Sequence, residues 1–97
     1  MISALLIAAN MCLQGGEQID ISPYVSTTVN FIWLKVSLKP ATGTLIVYSP
    51  GYEEQPARFT KEESYGSLSI AEPILCVKAL GGPFKFNIEV VANEDAD

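Results

Sequence analysis

Hydrophobic and polar residues alternate most regularly near the end of the chain. In Phe84-Lys85-Phe86-Asn87-Ile88-Glu89-Val90, the apolar residues fall on one set of alternate positions and Lys85, Asn87 and Glu89 on the other. Period two is the signature of a β-strand with one face on a core and one in water. Ile74–Ala79 has similar length and apolar character, and Leu80-Gly81-Gly82-Pro83 lies between the two runs. Its glycines accept the positive φ that a tight reversal demands, so the pattern predicts a C-terminal hairpin. A second hairpin is predicted upstream. Val29–Leu38 places Ile32, Leu34, Val36 and Leu38 on one face, Lys39-Pro40-Ala41-Thr42-Gly43 carries turn residues, and Thr44–Tyr48 forms the return strand.

Shorter strands are predicted at Ala4–Ala9, Glu17–Ile21, Ala57–Thr60 and Ser67–Ile70, with Pro23 and Pro73 at strand flanks. No window shows helical periodicity; Lys61-Glu62-Glu63-Ser64 is long enough for one helical turn at most. About seven or eight short strands punctuated by Gly, Pro and Ser predict an all-β fold. The expected architecture is a single antiparallel β-sandwich, immunoglobulin-like or jelly-roll-like. It spans residues 1–92, followed by an acidic tail, 93–97, that should fray for want of an apolar anchor.

Composition narrows the chemistry. The 97 residues are 48% hydrophobic, which argues for a packed core. Histidine is absent, so the commonest general base and metal ligand are missing. Six Lys and Arg stand against eleven Asp and Glu, a balance unsuited to a phosphate backbone. Neither nucleic acid nor a membrane is an expected partner. With no catalytic, cofactor or metal constellation in view, a non-enzymatic role is expected.

Lys35, Lys78 and Lys85 sit at solvated strand positions, where nothing lowers an amine toward a general base. Glu53-Glu54 and Glu62-Glu63 are adjacent acids in loops, better suited to solvation than to glycoside hydrolysis or calcium. Trp33, bracketed by Phe31 and Ile32, is expected in the core. Tyr52 and Tyr65 are expected on loops beside acidic residues, where aromatic residues serve protein interfaces and sugar sites alike; with Phe59 they are the candidate partner contacts.

Cys12 and Cys76 lie in apolar stretches and are expected to be buried free thiols. The N-terminal run Ala4–Ala9 is too short for a membrane span and lacks the basic residues of a signal peptide, so a buried first strand is expected. Both Ala4–Ala9 and Phe31–Leu38 carry apolar residues on both faces, more than one small sheet covers. Oligomerisation or docking is therefore expected.

From Phe31 onward the segment order resembles the small β-sandwich virion proteins of tailed bacteriophages, including capsid decoration (cement) and head–tail accessory proteins. The elements carrying the resemblance are Trp33-Leu34-Lys35-Val36-Ser37, Thr42-Gly43-Thr44-Leu45-Ile46-Val47, Gly66-Ser67-Leu68-Ser69-Ile70, Glu72–Ala79 and Phe84–Val91, about two-thirds of the chain. Tyr48-Ser49-Pro50-Gly51-Tyr52 stands where such proteins usually carry an aspartate-glycine-glycine and tryptophan signal. The resemblance implies a non-enzymatic virion protein on the capsid surface, often trimeric, made in the host cytoplasm and bound to the major capsid protein or another virion protein. It implies no functional residues. A carbohydrate-binding module or sugar-recognising appendage, and a head–tail adaptor or tail accessory protein, are the alternatives.

Overall fold

The computed structural model describes Cys12 and residues 16–26 and 29–95. The strand expected at Ala4–Ala9 lies outside the described residues. Seven strands follow in order: β1 Glu17–Asp20, β2 Val29–Lys39, β3 Gly43–Tyr48, β4 Ala57–Phe59, β5 Glu63–Ser69, β6 Ile74–Gly81 and β7 Lys85–Asp95. A single 3-10 turn, Ser22–Tyr24, joins β1 toward β2 and takes Pro23. The strands form two antiparallel sheets, one ordered β1-β6-β3-β4 and the other β5-β2-β7. A small all-β sandwich is therefore the architecture, as the alternation predicts.

The core lies between the two sheets and follows period two. Ile32, Leu34, Val36 and Leu38 of β2 have no solvent exposure, and neither do Leu45 and Val47 of β3 or Leu75 of β6. These side chains meet as one cluster, completed by Ile21, Val29, Phe59, Leu68, Ile70 and Val77. The β-branched and γ-branched residues at alternate sites of β2 thus form its central rib, because β2 has a neighbour on each side.

Neither predicted hairpin forms. The turn after β2 carries the chain across to β3 in the opposite sheet, and the turn after β6 carries it across to β7. Gly81 (φ 76°) and Gly82 (φ 107°) do supply positive φ. Both corners contain a cis X-Pro bond, Lys39–Pro40 and Gly82–Pro83. Thr42 Oγ1 donates to the Pro83 carbonyl at 3.0 Å and ties one corner to the other. The reason for the difference is physical. Two successive strands with one apolar face each can bury those faces side by side in one sheet or face to face across a core, and turn residues alone do not choose between them. Among the described residues, five of the six strand connections switch sheets and β3 to β4 stays within one.

Further departures are local. Glu63 and Ser64 belong to β5, which begins four residues before the predicted Ser67, so the helical turn at Lys61–Ser64 does not form. The tail expectation also gives way at its start: β7 runs to Asp95, pairing Asn93 with Ile32 and Glu94 with Phe31. Backbone pairing to a long central neighbour anchors these residues without any apolar side chain of their own.

Cys12 and Cys76 form a disulfide, with Cα atoms 5.4 Å apart. Their apolar sequence context predicts burial, which is observed, but the expectation of free thiols is overturned, because the two sulfurs are bonded to each other. Cys76 alternates with the core residues Leu75 and Val77, so it points to the outer side of its sheet, beside Tyr48 across the β3–β6 ladder. There Cys12 meets it. Sequence distance, 64 residues, hides this proximity.

A candidate binding face on the three-stranded sheet

The alternation that drives Ile32, Leu34, Val36 and Leu38 inward turns Phe31, Trp33, Lys35, Ser37 and Lys39 outward. Trp33 is therefore not a core residue. It is 43% exposed, on the outer face of β2, where the Phe31 ring meets it edge-on at 5.8 Å. The hydrophobic bracket around Trp33 concealed a simple parity: both of its neighbours along the strand, Ile32 and Leu34, point inward, which turns Trp33 outward.

Tyr65 shares this face. It stands opposite Lys35 on β5 and is 62% exposed, diagonal to Trp33, whose direct partner on β5 is Ser67. On the other flank, a β-bulge separates Trp33, paired with Ala92, from Leu34, paired with Val90. Val91 is the extra residue and remains exposed. Bulges recur where a strand is bent to re-aim its side chains. Together Phe31, Trp33, Tyr65 and Val91 form an aromatic and apolar end to the face.

The other end is polar. Lys35, Ser37, Lys39, Glu62, Glu63, Asn87 and Glu89 line a shallow depression of about 290 Å³. Lys35 Nζ lies 3.8 Å from Glu63 Oε2. Half-exposed, this pair contributes little to stability, and it fixes neither side chain rigidly. The face thus joins a stacking surface to a row of hydrogen-bonding and charged groups.

The other predicted contacts lie elsewhere. Phe59 is buried in the core at 3% exposure and is unavailable to a partner. It is the inward residue of β4, and a Cβ added to Gly66 on β5 would meet its ring at 2.8 Å. Bare backbone at Gly66 is what admits the ring between the two sheets. Tyr52 is half-buried in the turn after β3, its N–H donating to the Ser49 carbonyl at 2.9 Å and its carbonyl accepting from Gln55 at 3.0 Å. It is placed by the sheet opposite to that of Tyr65. Of the three, Tyr65 alone belongs to the face, and Phe31, Trp33 and Val91 complete it.

Electrostatics elsewhere are mild. The exposed Asp20 carboxylate accepts the Ser22 N–H at 2.8 Å, which lowers its pKa below the usual carboxylate range. The Gly51 N–H, 2.9 Å from Glu53 Oε2, does the same for Glu53. Both are turn-closing contacts. Among the described residues, no group of three or more Cys, Asp or Glu is placed to hold a metal ion. No helix of the described residues is long and apolar enough to cross a membrane.

Comparison of the chain with protein families, with curated proteins and with solved structures returned no match.

Proposed function

We propose that this chain is a non-enzymatic structural protein that docks through the outer face of β5-β2-β7 onto an assembled protein surface, as a decoration protein does on a phage capsid. The observation that carries this reading is the exposure of Trp33 beside Phe31, Tyr65 and Val91 on the three-stranded sheet. Large aromatic residues dominate binding energy where they become desolvated at the centre of an interface. Binding only the assembled lattice would shift the equilibrium toward the intact shell by mass action. The disulfide supports a location outside the reducing cytoplasm, such as a virion or cell surface.

The test compares binding to expanded empty capsids with binding to free capsid subunits. Selective binding to the assembled form is expected, and Trp33→Ala or Tyr65→Ala should weaken it roughly tenfold or more, the scale of an aromatic contact at an interface centre. Failure to bind either form would count against the reading.

One observation favours a second reading, a carbohydrate-binding module. The polar depression lined by Lys35, Glu63, Asn87 and Glu89 adjoins Trp33 and Tyr65. An aromatic platform beside polar groups suits a sugar ring, which offers C–H faces and hydroxyl edges together. Trp33 is the sole tryptophan, so its fluorescence reports on this face alone. A saturable change during a glycan titration would support the second reading, and a silent panel would remove it.

A further inference from the structure

The edge of the three-stranded sheet formed by β7 is self-complementary, and we infer that two copies of the chain pair there, β7 against β7, about a two-fold axis at Asn87. Among the described residues, β7 pairs with β2 alone, and none of them covers the opposite edge of this eleven-residue strand. An open edge of this length is a template for another strand.

The register follows from the residues. An antiparallel pair centred on Asn87 sets Lys85 opposite the second copy's Glu89, twice by symmetry, and Asn87 opposite its own counterpart. Phe86 then faces the second copy's Ile88, again twice. Odd residues Lys85, Asn87 and Glu89 lie on the outer face, opposite Lys39, Ser37 and Lys35 of β2. Phe86 and Ile88 lie on the inner face, opposite Leu38 and Val36. Each new cross-strand pair is thus opposite charge, amide to amide, or apolar to apolar, the combinations that stabilise neighbouring strands.

Two features of the single chain gain a partner in this arrangement. Lys85 stands directly opposite Lys39 on β2, a like-charge pair that is unfavourable by itself. A Glu89 arriving on the other side of Lys85 offsets it, giving the row Lys39, Lys85, Glu89, Lys35 across four strands. Phe86 and Ile88 are core-facing yet only half-buried, beside a depression of about 520 Å³ that Ile19, Tyr24 and Leu75 help to line. Pairing covers their exposed sides. The bulge at Val91 ends the matched stretch and limits the contact to the first half of β7.

The result is a six-stranded sheet, β5-β2-β7 continued into β7-β2-β5. It replaces the three-fold assembly that the family resemblance implies. The two-fold axis stands perpendicular to the sheet, so both Trp33 faces lie on one side. The inference does not depend on what that face binds.

The test uses sedimentation of the full chain, with circular dichroism to confirm that each variant is folded. A dimer of twice the 10.5 kDa chain mass is expected for the native protein. Lys85→Glu sets Glu against Glu, and Glu89→Lys sets Lys against Lys, so each alone should weaken dimerisation roughly tenfold or more, since symmetry counts each charge pair twice. Mixed together, the two variants regain opposite charges at both contacts and should form a heterodimer. The double variant K85E/E89K should regain the homodimer. A native monomer at high concentration, a trimer, or a dimer indifferent to both single charge reversals would overturn the inference.

Discussion

Where β4 meets β5, Phe59 is buried to 3% exposure under Gly66; where β1 faces β7, Phe86, Ile88 and Val90 remain only half-buried beside a depression of about 520 Å³. The first side is closed by one aromatic ring fitted against bare backbone. The second has more strand but less cover, because four-residue β1 faces eleven-residue β7. Covalent chemistry acts nearby but on the outer side: the disulfide fixes Cys12, ahead of β1 in sequence, to Cys76 on the neighbouring strand β6, securing β1 to its own sheet and leaving the gap toward β7 uncovered. One side of this small sandwich is therefore closed by packing, while on the other a cross-link holds β1 within its own sheet without closing it over β7. The difference also locates where additional surface is available to a partner.

The largest expected effect tests the covalent side. Replacing both Cys12 and Cys76 with serine should lower stability by about 4 kcal/mol, from the loop entropy of a 64-residue separation. Urea unfolding measures the loss. Hydrogen exchange should show protection falling in β1 before β4 and β5; uniform loosening would mean that the cross-link does not act mainly on the β1 side.

Next comes the packing contrast itself. Phe59→Ala should cost roughly 3–5 kcal/mol, the range for removing a buried aromatic residue, whereas half-buried Ile88→Ala should cost about 1–2 kcal/mol. Equal losses in chemical denaturation would erase the distinction between the two sides.

A smaller effect of opposite sign is expected on β5. The Ser64 hydroxyl is buried on the inward side, opposite Val36, with no hydrogen-bond partner. Ser64→Ala removes a desolvated polar group and should be neutral or stabilising by up to about 1 kcal/mol. A clear loss of stability would show that the hydroxyl is engaged.

The smallest effect concerns pH. Asp20 and Glu53 have folded-state pKa values below their ordinary ones. Each therefore contributes stability that is present above its unfolded value and lost as pH falls through the lowered folded value. Both groups are exposed, so solvent screens the effect. Asp20→Asn should flatten the acid limb of a stability–pH curve slightly; an unchanged curve would remove Asp20 from the account.

Part of the candidate site was legible. Tyr65 is an aromatic residue beside acidic ones, a local mark of a contact, and the face containing it follows from parity once β2 is known to be flanked on both sides. The hydrophobic neighbours of Trp33 suggest a core position, although the alternation of Ile32 and Leu34 assigns it to the other side, where it is exposed. Phe59 carried no local mark of burial. Its position depends on Gly66, seven residues away and on the opposite sheet, where the absence of a side chain makes room.

The amino-acid order by itself determined the all-β class, the inward residues of β2 and β7, and the places where the chain turns. These properties are local: period two sorts side chains by face, and Gly and Pro permit reversal, whatever lies beyond. Tertiary structure decided which strands became neighbours. It converted two apparent hairpins into sheet-to-sheet crossings, joined Cys12 to Cys76, and extended β7 along β2 to Asp95. Such choices depend on competition among distant apolar faces for one shared interior, a contest settled by the whole chain rather than by any segment of it.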